Sequence, residues 1–233
     1  MDKMIQTLEV DSVILEFGDK RVLQDVYLKC KTNNVTGLLG LNGSGKSCLM
    51  NIIYGKLKPL NGMVRINEQA FLGLYRKPSD IMYLPQFSFI PKSLTLKRIF
   101  KDYELDYFEF TDRFPEFKKY YKSRIGLLSG GERRIVEIYL IVSSNTKFCL
   151  LDEPFSHVMP LHIEKIKSLI NEEKRNKGIV LTDHMYEHII DICDEIYLIK
   201  DGKTHLTNSL EDIESLGYLR ISATNKKYSA FGK

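Results

Sequence analysis

The chain has 233 residues, 43% of them hydrophobic and 27% charged, with a formal net charge of +4. That length allows one large domain, or one with an inserted subdomain; the composition is that of a globular protein, and the charge is too mild to mark a nucleic-acid binder. No run approaches the roughly 18 apolar residues that span a membrane, and "MDKMIQTLEVDSV" lacks the apolar core of a secretion signal, so the expectation is a cytoplasmic chain, any membrane role of which must come through a partner.

In chain order, "TLEVDSVILEF" (7–17) and "RVLQDVYLKC" (21–30) flank the turn "GDK" and predict a hairpin. "MVRI" (63–66) extends it into a small antiparallel sheet. "VTGLL" (35–39), "IMYL" (81–84), "FCLL" (148–151), "IVLT" (179–182) and "EIYLI" (195–199) are short apolar runs. They suit strands buried on both faces of a parallel sheet. Helical spacing separates them. Leu49, Ile52 and Ile53 make one stripe, and Ile135, Ile138, Ile141 and Val142 a second, after Gly130–Gly131. Ile163, Ile166, Leu169 and Ile170 make a third, after Pro160, which suits a first turn. The alternation predicts an α/β fold. The segment Phe100–Tyr121 holds nine of the chain's 25 aromatics, which predicts a compact helical insertion. Cys30, Cys48, Cys149 and Cys193 form no CxxC pair and read as free thiols.

Two of these runs end in chemistry. After the strand at 35–39 comes Gly40-x4-Gly45-Lys46-Ser47, the phosphate-loop spacing. Glycines let successive backbone N–H groups curl around an anion, and the helix that follows adds its dipole. Gly40, Leu41, Asn42, Gly43, Ser44, Gly45, Lys46, Ser47 and Cys48 span this candidate phosphate site. Lys46 would reach the β/γ-phosphates and Ser47 would ligate Mg²⁺. "FCLLDEP" (148–154) runs into Asp152 and Glu153. A carboxylate at the C-terminal end of a parallel strand points into the ligand crevice. Asp152 would hold Mg²⁺, directly or through water, and Glu153 would polarise the attacking water.

With "LLSGGERR" (127–134) added, the chain resembles the nucleotide-binding domain of the ATP-binding cassette (ABC) family over nearly its whole length, with the motifs in family order. The resemblance implies a P-loop NTPase of ABC type, a single cassette over 1–233. Residues 1–86 and 128–233 would form the mostly parallel core sheet with helices plus the antiparallel β subdomain, and 87–127 the inserted helical subdomain. Leu128, Ser129, Gly130, Gly131 and Glu132 match the signature motif, whose amides close on ATP held by the other subunit of a head-to-tail dimer. Gln86 looks like the glutamine that contacts Mg²⁺ or water, His184 in "LTDH" like the histidine that meets the γ-phosphate, and Phe17 like the adenine-stacking aromatic. Where the family usually has Ser-Ala-Leu-Asp, this chain has Ser156-His157-Val158-Met159, which removes a carboxylate from the dimer contact.

The resemblance implies Mg²⁺-dependent ATP hydrolysis that opens and closes a dimer, of identical or paralogous chains. That motion would drive separate integral membrane subunits from the inner face of the cell membrane. The alternative is a soluble cassette ATPase such as an iron–sulfur cluster assembly factor. "KKYYKSR" (118–124) is better explained by a solvated helix face than by nucleic-acid binding.

Overall fold

The computed structural model describes residues 5–71 and 76–218. The first elements are β1 (Thr7–Phe17), β2 (Lys20–Lys31), β3 (Val35–Gly40), α1 (Lys46–Tyr54), β4 (Asn61–Ile66), β5 (Gln69–Ala70) and β6 (Ile81–Leu84). Then come α2 (Leu96–Asp102), α3 (Tyr107–Arg113), two 3-10 turns at Pro115–Tyr120 and Ile125–Leu127, and α4 (Gly130–Ser143). The chain continues through β7 (Phe148–Asp152), α5 (Pro160–Glu173), β8 (Gly178–Thr182), α6 (Tyr186–Ile192), β9 (Glu195–Lys200), β10 (Lys203–Thr207) and α7 (Leu210–Ser215).

The strands form two sheets. One is antiparallel, in order β2-β1-β4-β5; the other has order β10-β9-β3-β8-β7-β6 and is parallel except for β10. The hairpin turn is tighter than the sequence suggests. Lys20 already pairs with Phe17, which leaves Gly18 and Asp19 as the turn, with Gly18 at φ 57°. Two-residue hairpins favour such positive φ values.

Alternation along the parallel strands sorts the core into two layers. Leu38, Leu150, Val180 and Tyr197 pack with α1 and the antiparallel sheet. Leu39, Leu151, Leu181, Ile196 and Leu198 pack with α4, α5 and α6 on the other face. Burying each large apolar side chain contributes about 1.5–3 kcal/mol. The aromatic-rich stretch is helical, and Phe100, Phe110, Phe114 and Phe117 are buried in it. The rings of Phe100 and Phe110 also meet Tyr139 of α4, with centroids 6.0 and 4.9 Å away. Its core is therefore continuous with that of the main sheet.

Candidate nucleotide site

Register places the candidate residues on one edge. Leu84 pairs with Leu151, Asp152 with Thr182, and Gly37 with Leu181, so β3, β6, β7 and β8 run their C-terminal ends to the same side. The loops that leave those ends carry Gly40–Gly45, Gln86, Glu153 and His184. A cavity of about 620 Å³ opens there, and Phe17, Lys46, Ser47, Gln86, Glu153 and His184 all line it, with Asn42, Gly43, Gly45 and Cys48. Phe17 is 53% exposed at this rim, outside the hairpin core.

The loop after β3 turns into α1 at Gly45, whose φ is 102°. A Cβ there would lie 2.7 Å from Leu23 Cδ2, so only glycine suits both the conformation and the space. No side chain caps α1. Its first-turn amides thus have no side-chain cap, and the helix dipole there favours an anion. Lys46 Nζ donates to the carbonyls of Gly40 (2.7 Å) and Leu41 (3.2 Å). Burial holds the Lys46 ammonium below the usual lysine range, while the charges of Glu153, Asp152 and Asp183 oppose that shift.

The acidic side lies opposite. Asp152 is 1% exposed; its Oδ1 accepts from Ser47 Oγ at 3.2 Å and its Oδ2 from the Tyr83 hydroxyl at 3.0 Å. Burial pushes the Asp152 carboxyl up, and these two hydrogen bonds pull it back. A buried carboxylate beside a hydroxyl, with open volume next to them, is a hard-oxygen donor set that fits Mg²⁺. That ion keeps waters and shares one or two protein ligands with phosphate. Among the described residues no cluster of three or more His, Cys, Asp or Glu forms a cation cage, so substrate oxygens and water would complete the shell. Tyr83 was not singled out in the sequence; its position inside an apolar strand run was the signal.

Glu153 has φ 50°, a left-handed conformation that costs a non-glycine residue about 1–3 kcal/mol. Its N–H donates to the Thr182 carbonyl at 2.8 Å. Its Oε2 accepts from Gln86 Nε2 (3.0 Å) and Ser156 Oγ (3.4 Å) and lies 3.8 Å from His184 Nδ1. Gln86, Ser156 and His184 therefore converge on one carboxylate oxygen of Glu153 at the cavity wall.

The signature residues do not line this cavity. Ser129 caps α4: its Oγ accepts from the Glu132 N–H, and Glu132 Oε2 accepts from the Ser129 N–H. Leu128 is buried in the core. Leu128 and Glu132 are thus engaged within their own chain, and the exposed members are Ser129 and Gly130. Gly131 lies under the His157 carbonyl, which an added Cβ would approach to 2.7 Å.

A glycine loop between a parallel strand and a helix, facing acidic residues at the neighbouring strand end, defines a P-loop nucleotide-binding protein. The model of the ABC transporter family matches residues 23–156. The chain belongs to the ABC transporter family, among its ATP-binding proteins. It is 31% identical to the lipopolysaccharide export system ATP-binding protein LptB of Haemophilus influenzae, over 88% of this chain and 92% of that one. It is 26% identical to the high-affinity branched-chain amino acid transport ATP-binding protein BraG of Pseudomonas aeruginosa, over 84% and 90%. Among solved structures, the ATP-binding subunit of an ABC transporter superposes with TM-score 0.77 at 24% identity, over 93% of this chain and 96% of that one. Free cysteines are as expected: none of the four is in a disulfide.

Proposed function

We propose that this chain is the ATP-hydrolysing subunit of an ABC transporter, working as a head-to-tail dimer on separate membrane subunits. One observation carries the reading. The phosphate loop, Gln86, Glu153 and His184 surround one cavity, while Ser129 and Gly130 sit exposed outside it. Each chain thus offers one complete phosphate cradle and one detached anion-binding helix start, which a second copy turned head to tail would join.

Within this reading, the Gly40–Ser47 amides and Lys46 hold the ATP phosphates and Phe17 stacks on the adenine. Ser47, Asp152 and Gln86 would hold Mg²⁺, which when bound neutralises charge on the phosphate oxygens. Glu153 takes the proton of the attacking water, and His184 orients that carboxylate and meets the γ-phosphate. Ser129, Gly130 and Gly131 cover the phosphates held by the partner copy. No described helix is long and apolar enough to cross a membrane, so force reaches the bilayer through the partner subunits at its inner face. The relatives named above are transport-system ATP-binding proteins, which favours this reading over an iron–sulfur cluster assembly factor.

Light scattering of the Glu153→Gln protein tests the dimer. Mg-ATP should double its mass, and ADP should not. A protein that binds ATP and stays monomeric at all concentrations would refute the head-to-tail arrangement.

A further inference from the structure

Helix α4 carries a buried ion pair that the nucleotide site does not use directly. Arg134 is 6% exposed and Glu137 1%, with the guanidinium 4.0 Å from the carboxylate. A buried ion pair generally adds no more stability than apolar residues of the same volume, so its hydrogen bonds need a separate account. Arg134 Nη1 donates to the Pro85 carbonyl at 2.6 Å. Its Nη2 donates to the carbonyls of Asp152 (2.6 Å) and Glu153 (3.1 Å). Glu137 accepts from the Phe89 N–H at 3.2 Å and from the Ser88 hydroxyl. The pair thus grips the Gln86 loop at both ends and, through one guanidinium, the backbone of the two acidic residues.

The second grip falls where the chain is strained. Glu153 holds a left-handed backbone, and strained conformations persist only where their surroundings over-determine them. Arg134 supplies charge-assisted hydrogen bonds on the two carbonyls at that bend, stronger than neutral ones. Between the gripped ends of the loop, Phe87 is 78% exposed. A displacement of that tip pulls on both gripped ends, and the clamp's other jaw is the backbone of Asp152 and Glu153.

We propose that Arg134 and Glu137 are positioning residues: together they lock the Gln86 loop to the backbone of Asp152 and Glu153, so that the loop's position sets the placement of the base. This rests on the ATPase reading above and adds the physical link inside it.

The test uses Arg134→Lys, which keeps charge but loses the fork, and Glu137→Gln, which keeps size and an acceptor. Hydrogen–deuterium exchange would be followed in peptides covering 85–89 and 152–156, alongside steady-state ATPase kinetics. In Arg134→Lys both segments should exchange faster together while the rest of α4 stays protected. The kcat should fall by about tenfold, since a misplacement of ~1 Å can cost about 10²-fold, with KM for ATP unchanged. Glu137→Gln should loosen the same two segments to a lesser degree. Faster exchange in only one segment, or spread over the whole chain, would overturn the link. So would an unchanged kcat in both variants. A wild-type protein without ATPase activity would sink the functional reading instead, and the exchange data would still decide whether the clamp exists.

Discussion

Replacing Glu153 by Gln changes one atom at the wall of the cavity and little else. Oε2 accepts from Gln86 Nε2 at 3.0 Å and Ser156 Oγ at 3.4 Å. Both are donors, so the amide can turn its oxygen to them and keep the wall intact. Glu153 is the leading one of three charges that favour the Lys46 ammonium against burial, and Asp152 and Asp183 remain to favour it. ATP affinity should therefore change little. What disappears is the proton acceptor proposed above, and a general base is worth about 10²–10⁴-fold. At about 1.36 kcal/mol per decade that is about 2.7–5.4 kcal/mol of barrier. Phosphate release at saturating Mg-ATP reads the rate, and calorimetry reads the binding. Turnover within about threefold of wild type, far short of the loss a general base carries, would remove Glu153 from the chemistry. Lost ATP binding would mean that the carboxylate holds the loop rather than the water.

Phe17→Ala should weaken ATP by about 1–3 kcal/mol, the worth of a base–aromatic stack, and Phe17→Tyr should restore it; inorganic triphosphate, which has no base, should bind both equally. Gly45→Ala carries two costs, about 1–2 kcal/mol for the left-handed backbone and about 1–3 kcal/mol for overpacking against Leu23. Gly43→Ala (φ 79°, open space) carries only the first, so urea unfolding should rank Gly45→Ala clearly below Gly43→Ala. His188 packs edge-on against Phe155 at 5.1 Å, and burial with the Lys167 charge holds its pKa below 6.5. The folded state then binds fewer protons than the unfolded one, so the stability this residue contributes is full above 6.5 and lost as pH falls below it. In His188→Gln the thermal midpoint should depend less on pH across that window.

The five apolar runs became the five parallel strands because strands buried on both faces have no polar register to hide them. β10 was not foreseen. It is an antiparallel edge strand, and its polar sequence "KTHLT" carries no apolar run. The Gln86–Glu153–His184 cluster was legible only in parts. Each residue follows a different strand, and it is the pairing of β6, β7 and β8 that sets the loops side by side. The clamp on α4 leaves a signal in the sequence. Arg134 and Glu137 stand four residues before Ile138 and Ile141, on the stripe that faces the core. A charge at such a position is either a fault in packing or a buried partner to something, and here it meets backbone carbonyls that no sequence pattern records.

Met159 stands where the resemblance leads one to expect an aspartate, and the local structure separates two consequences of that difference. Met159 is the N-cap of α5, with extended backbone and no side-chain cap, and it is 65% exposed. An aspartate there could accept from the amides of the first turn. Pro160 at the start of the helix already removes one of those orphan donors. Met159→Asp should therefore stabilise the nucleotide-free protein by about 0.5–1 kcal/mol, at the low end for an N-cap. For a chain of this size each kcal/mol raises the thermal midpoint by about 2–4 °C. An unmoved or lowered midpoint would show that the Pro160 turn cannot present a cap. A raised midpoint with unchanged ATP-driven dimerisation would make the methionine a loss confined to its own helix. A raised midpoint with altered dimerisation would place the side chain at the contact between copies. Thermal melts of the nucleotide-free protein isolate the first effect, because no second copy is then drawn in by ATP.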